Sequence, residues 1–360
     1  MSEHKVYRAI GLMSGTSLDG EIDVALIETD GKGYAEALDF YSYECAGRKN
    51  LEIIRGCFGK PARDKRAEEI VTDLHIQAVK GSGFEADIIG FHGQTVFHAP
   101  DRGITVQLGD GARLARETGI DVVCDMRQED VKAGGQGAPL LPLYHAARVR
   151  AAGLEGPLAI YNIGGVSNVT YIEANGDVRC AFDCGPGNAL MDDFMRLRTG
   201  HAFDRAGMLA AAGHVHEDIV EAAYLEREGF FYQSPPKSLD RDDFAYVSDM
   251  VSGLSTEDGL ATLMAFTVRA MDEAERFGSG ALACYVCGGG RHNKALMQAL
   301  DGALPGGARA VEALGWNGDA TEAEGFAYLA VRSMLGLPLT LPETTGVAEP
   351  QTGGVYHSHD

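Results

Sequence analysis

Two stretches of this chain share one unusual plan. GLMSGTSLDGEIDVALIETDG, residues 11–31, reads as a strand, a tight turn dense in glycine and hydroxyl groups, and a second strand, with Asp19 and Asp23 just past the bend. YNIGGVSNVTYIEANG, residues 161–176, repeats the strand, Gly/Ser turn and strand, and closes on Asn-Gly. Gly15 in the first turn, and Gly164 and Gly165 in the second, allow close backbone approach and positive φ, while Ser14, Thr16, Ser17 and Ser167 bring hydroxyl donors. Successive amides in such turns make a concavity for phosphate oxygens. Either turn alone reads equally well as an ordinary Gly-rich hairpin; together they point to two facing phosphate hairpins.

The segments after each hairpin extend the repeat. In the first half, residues 64–80 place Ile70, Val71, Leu74 and Ala78 at helical spacing, and ADIIGFHGQTVFHAP at 86–100 returns to a buried strand and a polar turn. TVQLGD alternates as a strand, ARLARETG reads as a helix ending at Gly119, and IDVVCDMR delivers Asp125 and Arg127 to a strand's C-terminal end. In the second half, residues 157–185 read as three successive strands, with a helix capped by Asn188 next. Helix-rich stretches are expected over 206–228 and 258–276, a strand, Gly turn and helix over 282–300, and a last helix over 321–335. The expectation is a duplicated α/β pair, residues 1–150 and 151–360, with a cleft between the copies.

Composition narrows the function classes. A formal net charge of −21 works against broad binding to nucleic-acid phosphates, yet leaves room for a small phosphorylated ligand held by local amides and a metal. No basic-then-apolar leader and no run of membrane-spanning length is evident, so a cytoplasmic location is expected. Seven cysteines in no regular framework suit free thiols, and the CxxC of Cys284 and Cys287 lies in a strand, where the two side chains point to opposite faces.

Neither a GxxxxGK[ST] loop nor an early GxGxxG is present, so the usual nucleotide fingerprints are missing. Gly288, Gly289 and Gly290 could pack backbone against an adenosine, or could simply make a tight strand-to-helix turn. Asp183, ending a strand before Gly-Pro-Gly-Asn, reads either as a general base toward water or a hydroxyl, or as a carboxylate that closes the turn. Asp19 and Asp23 read either as ligands suited to Mg²⁺, which takes one or two carboxylates plus phosphate oxygens and water, or as solvated turn acids. His92, Gln94 and Thr95 occupy a turn after a buried strand, and Arg127 reads either as a fork for a ligand carboxylate or as the partner of Asp125 or Asp130. AGGQGAPLLPLYH at 133–145 reads as a mobile Gly-rich loop, able to close on substrate, before a helix starting near Pro139.

The strings GLMSGTSLDG, IGFHGQTVFH, VQLGD, VVCDMR, GGQGAPLLP, NIGGVSNVT, FDCGPGNALMD, PPKS, CGGGRHN and TTGVAEP stand in the order and spacing of one family. From about residue 8 to 354 the chain resembles the anhydro-N-acetylmuramic acid kinases. The resemblance implies the duplicated actin/hexokinase-like (acetate kinase-like) fold, with ATP in the interdomain cleft and Mg²⁺ on the nucleotide. It implies hydrolytic opening of the 1,6-anhydro ring, phosphorylation of O6 to give N-acetylmuramic acid 6-phosphate and ADP, a place in peptidoglycan recycling, and a homodimer. Carried over by motif, Asp183 is the catalytic base, and Gly15, Thr16, Ser17, Leu18, Asp19, Gly20 and Asp23 belong to the ATP-binding stretch, with Asp19 toward the metal. Gly164, Gly165 and Asn168 are then expected at phosphate, Gly288, Gly289 and Gly290 at adenosine, and His92, Gln94, Asp125, Arg127 and Glu322 around the sugar and its lactyl carboxylate.

The chain departs from the family pattern in three places. One residue is inserted after LDG, so that Glu21 and Ile22 precede Asp23; Gly325 stands where Ala is usual; and Cys184 replaces Thr beside Asp183. Two other functions use the same features: a plain sugar or acid kinase that breaks no glycosidic bond, and an ATP-driven filament protein.

Overall fold

The computed structural model describes residues 5–15, 20–45, 48–278 and 280–360. The chain divides into two compact units, Met1–Leu154 with Ala320–Asp360, and Glu155–Asp319. The first boundary falls near the expected residue 150, but residues 320–360, expected in the second domain, belong to the first unit.

The first unit contains β1 (Tyr7–Met13), β2 (Glu21–Thr29), β3 (Ala35–Glu44), β4 (Ile88–Phe91), β5 (Gln94–Ala99), β6 (Ile104–Leu108) and β7 (Asp121–Cys124). β1, β2 and β3 form an antiparallel meander, and β4 and β7 extend it in parallel beyond β1, giving the order β3-β2-β1-β4-β7. β5 and β6 pair separately as a hairpin. The β2–β3 turn is set by Asp30, whose Oδ1 accepts from the amides of Lys32, Gly33 and Tyr34 at 2.8, 3.1 and 3.0 Å, with Gly31 at φ 69°. One face of the sheet is covered by the helix Lys65–Ser82, which Asp64 caps through the Ala67 amide and Gly83 ends at φ 67°. Its Val71, Leu74 and Ala78 join Ile10, Leu12, Val24 and Ile89 in one core.

The helix Thr321–Met334 packs on β1, β4 and β2. Gly11 and Gly90 are paired across β1 and β4, and a Cβ on either would overlap a carbonyl oxygen of that helix, Ala323 for Gly11 and Phe326 for Gly90. These two glycines therefore make a flat seat for a helix, which is why the C-terminal segment joins this unit. Gly325 meets Leu141 in the same way, an added Cβ lying 2.6 Å from its Cγ. Gly325 is thus a close-packing feature of this helix.

The second unit contains β8 (Leu158–Ile163), β9 (Val166–Ile172), β10 (Val178–Pro186), β11 (Ala283–Cys287) and β12 (Ala308–Ala310). Its sheet runs β10-β9-β8-β11-β12, again an antiparallel meander extended by parallel strands. Strand for strand this repeats the order of the first unit, which is the duplicated topology expected of an actin/hexokinase-like chain. The final strand, β13 (Val355–His357), returns to the first sheet antiparallel to β7.

Some boundaries differ from expectation. The helix expected from Pro139 starts at Pro142, because residues 135–137 are held by other groups. The 206–228 stretch breaks into Met208–Ala212 and Glu217–Glu226; between them Gly213 lies so close to the start of the helix Thr256–Ala274 that a Cβ would overlap the Glu257 carbonyl. All seven cysteines are free thiols. Among the described residues no helix is long and apolar enough to cross a membrane.

Candidate functional site

In the first unit the described residues that flank the β1–β2 connection are half-buried Gly15 and, on the β2 side, Gly20, which adopts φ 101°. Thr16, Ser17, Leu18 and Asp19 lie outside the described residues. Gln94, 1% exposed, is the first residue of β5 rather than a turn residue, and its Nε2 donates to the Gly15 carbonyl at 3.4 Å. Asp23 sits opposite Met13 and Ser42 in the ladder. It shares a face of β2 with Ala25, which packs on Ala320 and Ala323 beside the helix carrying Glu322.

His92 and Arg127 come together: Arg127 donates from Nε to His92 Nε2 at 3.1 Å and from Nη1 to the Gly137 carbonyl at 2.6 Å. Burial, then the adjacent guanidinium, hold the His92 imidazole well below its ordinary range, so it is neutral. Asp125 takes φ 52°, an uncommon backbone for a non-glycine. It lines a recess of about 390 Å³ with Arg63, Gln107, Gln128 and Lys132, a set that does not include His92, Gln94 or Arg127. Glu322 is half-buried in the first turn of its helix. The deeply buried carboxylate there is Glu324, which accepts from Tyr144 and from Arg148 at 3.1 Å and ties the helix to Pro142–Ala151.

The Gly-rich loop expected to be mobile is fastened at several points. Asp130 Oδ1 accepts from the Gly137 amide at 2.6 Å, its main-chain oxygen accepts from Gly135, and Gln136 donates to Thr345 at 2.7 Å. His98 donates from Nε2 to the Gln136 carbonyl at 2.9 Å. Asp130 Oδ2 in turn accepts from the hydroxyls of Thr340 and Thr345, so the two distant strings GGQGAP and TTGVAEP meet on one buried carboxylate. Sequence reading missed Asp130 as this hub; the hydroxyls that complete it lie over 200 residues away.

In the second unit the residues of interest form a row. Register pairs Asp183 with Asn168, Asn168 with Asn162, and Asn162 with Cys287, and directly paired side chains share a face. That face is opposite the apolar core, which takes Tyr161, Ile163, Val169, Phe182 and Cys184. Cys184 therefore points away from Asp183, and a threonine there would not have faced its carboxylate. Asp183, 7% exposed, stands at a bulge in the β9–β10 ladder. Its amide donates to the Lys237 carbonyl at 3.0 Å and its Oδ2 accepts from the Leu239 amide at 2.8 Å.

The row ends at Gly288, where φ is 76° and a Cβ would overlap Asn162 Oδ1. Gly290 is a packing glycine against Ile163, whereas at Gly289 the nearest atom to an added Cβ is Asn188 Nδ2 at 3.7 Å. Arg291, which sequence reading passed over, holds this turn: it reaches Glu312 at 2.8 Å, Asp319 at 2.7 Å and the Gly288 carbonyl at 3.0 Å. Gly164 and Gly165 offer carbonyls to the amides of Gly187, Asn188 and Ala189 at 2.8–3.2 Å, and the Gly164 amide is engaged with Val166. These carbonyls satisfy the start of the helix Ala189–Thr199. The Asn188 side chain makes no cap and instead donates to Ile163 at 3.3 Å.

A family model described as anhydro-N-acetylmuramic acid kinase matches residues 7–358. Proteins of that name from Rhizorhabdus wittichii and Paramagnetospirillum magneticum are 49% and 50% identical, each over 97% of this chain and over 98% and 99% of their own lengths. Among solved structures, the (R)-2-hydroxyglutaryl-CoA dehydratase component A of Acidaminococcus fermentans is 13% identical, with a TM-score of 0.48 over 91% of this chain and 99% of that one. A ROK family glucokinase from Streptomyces griseus, in complex with glucose and AMPPNP, is 17% identical, with a TM-score of 0.43 over 90% of this chain and 99% of that one.

Proposed function

The chain belongs to the anhydro-N-acetylmuramic acid kinase family over nearly its whole length, and from that we propose how its residues divide the work of an ATP-dependent phosphotransferase. The reaction turns 1,6-anhydro-N-acetylmuramic acid, water and ATP into N-acetylmuramic acid 6-phosphate and ADP. Water adds to C1, the C1–O6 bond breaks, O6 takes the γ-phosphoryl group, and the proton of the attacking water passes to a base. Asp183 is that base. The observation that supports it most is a buried carboxylate in a row of uncharged polar groups, with one oxygen fixed by the Leu239 amide. Attack opposite the leaving oxygen inverts C1, as in inverting glycosidases.

Gly15, Thr16, Ser17, Leu18, Gly20 and Asp23, with Gly164, Gly165 and Asn168, serve the ATP phosphates, and Gly288, Gly289 and Gly290 the adenosine. Neutral His92, with Gln94, Asp125, Arg127 and Glu322, serves the sugar, the Arg127 guanidinium matching its lactyl carboxylate. Mg²⁺ bound with ATP supplies charge neutralisation on the phosphates. Its expected carboxylate, Asp19, lies outside the described residues, and among the described residues no group of three or more His, Cys, Asp and Glu is arranged to hold a metal. A cytoplasmic homodimer acting in peptidoglycan recycling completes the reading.

Asp183→Asn tests the central role. Turnover is expected to fall by about 10²–10⁴-fold while calorimetry still registers ATP binding; near-normal turnover would remove Asp183 as the base.

A further inference from the structure

Asp183 is held by a stretch of chain that has no regular structure of its own. Residues 233–240 lie outside every helix and strand, yet they supply two main-chain contacts to Asp183, the Lys237 carbonyl and the Leu239 amide. What fixes that stretch is the Lys237 side chain, 4% exposed. Its ammonium donates to the carbonyls of Phe230 and Phe231 at 2.9 and 3.3 Å, and it lies 4.5, 4.9 and 5.3 Å from the ring centres of Phe230, Phe277 and Phe182. Among the described residues no carboxylate stands within ion-pair distance of it.

We propose that Lys237 is a positioning residue for Asp183: its caged ammonium anchors the 237–239 segment so that the Leu239 N–H is held on Asp183 Oδ2. The inference rests on Asp183 being the base. A buried ammonium held only by carbonyls and rings is a costly way to fill space, and an apolar side chain of similar length would pack there without losing hydration. The charge is explained by what it directs: it bonds carbonyls at the end of the short helix Glu228–Tyr232 and ties that helix to the segment gripping Asp183. Burial lowers the Lys237 amine to about 8, so it carries its proton at neutral pH. The other ionisable groups that bear on it are Cys184, Arg276 and Glu273.

An amide donor that prefers the ionised carboxylate holds an acid in its charged form, and loosening that donor raises the pH at which the base takes up its proton. Lys237→Met is therefore expected to lower kcat on the order of 10- to 100-fold, to leave the KM for ATP near wild type, and to move the acid limb of kcat/KM to higher pH. A merely structural lysine would lower the melting temperature without moving that limb. Phe277→Leu, which thins the cage but keeps the hydrogen bonds of Lys237, is the milder variant should Lys237→Met fail to fold. It is expected to lower kcat by about two- to fivefold, with the limb moving the same way. Asp183→Asn run in parallel separates the two claims: if it keeps turnover, the base assignment falls and this role with it. If Asp183→Asn is inactive while the folded Lys237 and Phe277 variants keep the wild-type kcat and acid limb, the positioning role alone is overturned.

Discussion

Arg127 donates to His92 across 3.1 Å, Nε to Nε2, and this bond fixes the imidazole as its Nδ1-protonated neutral tautomer. The pair is assembled from distant strings, FHGQT after β4 and CDMR after β7, because β4 and β7 are parallel neighbours in the sheet. The guanidinium also holds Gly137, so it orients both the histidine and the loop beside it.

Arg127→Ala is expected to raise the KM for the sugar by about 10- to 100-fold, the scale of a lost charge-assisted contact, and to leave the KM for ATP nearly unchanged. Steady-state kinetics with each substrate varied in turn checks this. An unchanged sugar KM would move the carboxylate contact elsewhere.

Gly11 lies inside the most recognisable string of the chain, yet its contact is the Ala323 carbonyl. Gly11→Ala should destabilise the first unit by about 3 kcal/mol or more, the upper range for overpacking. Urea denaturation measures it; wild-type stability would mean that the helix Thr321–Met334 is not seated on this glycine.

His75 donates from Nδ1 to the Val71 carbonyl at 2.7 Å and packs on Phe91, and burial lowers it from 6.5 to about 4. The unfolded chain takes up this proton below about pH 6.5 while the folded chain does not until about pH 4, so the stability present above pH 6.5 drains away as pH falls through that window. Between pH 7 and 5 the loss from this residue is about 2 kcal/mol. Thermal unfolding of His75→Leu at both pH values should show a smaller drop than wild type; equal drops would contradict a buried neutral His75.

Gly288→Ala puts a side chain at φ 76° and ψ 173°, a backbone region that essentially only glycine occupies, and against Asn162, a strain of about 1–3 kcal/mol before any displacement. The KM for ATP should rise about tenfold with the sugar KM little changed. The opposite pattern would place this turn nearer the sugar than the nucleotide.

The repeat of a hairpin followed by alternating helices and strands was legible because alternation and helical spacing survive in sequence, and so was the end of Gly111–Thr118, where Gly119 adopts the left-handed conformation. The unit that takes residues 320–360 was not legible. It depends on Gly11 and Gly90 seating a helix from the far end of the chain, and no local pattern reports who the neighbour is. Glycines that look like ligand loops proved divided: Gly288 borders the polar row, whereas Gly290 packs on Ile163. Asp183 stood out by its place before Gly-Pro-Gly, but Asn162, Lys237 and Asp130 did not, since their partners come from strand register and long-range contacts.

Coupled ring opening and phosphorylation is tested most directly by mass spectrometry of 1,6-anhydro-N-acetylmuramic acid incubated with the protein, Mg-ATP and ¹⁸O-labelled water. The predicted result is a phosphorylated product carrying one ¹⁸O, at C1, formed together with ADP. No product from the anhydro sugar, with phosphorylation of open-ring sugars alone, would contradict coupled ring opening and leave a plain sugar kinase.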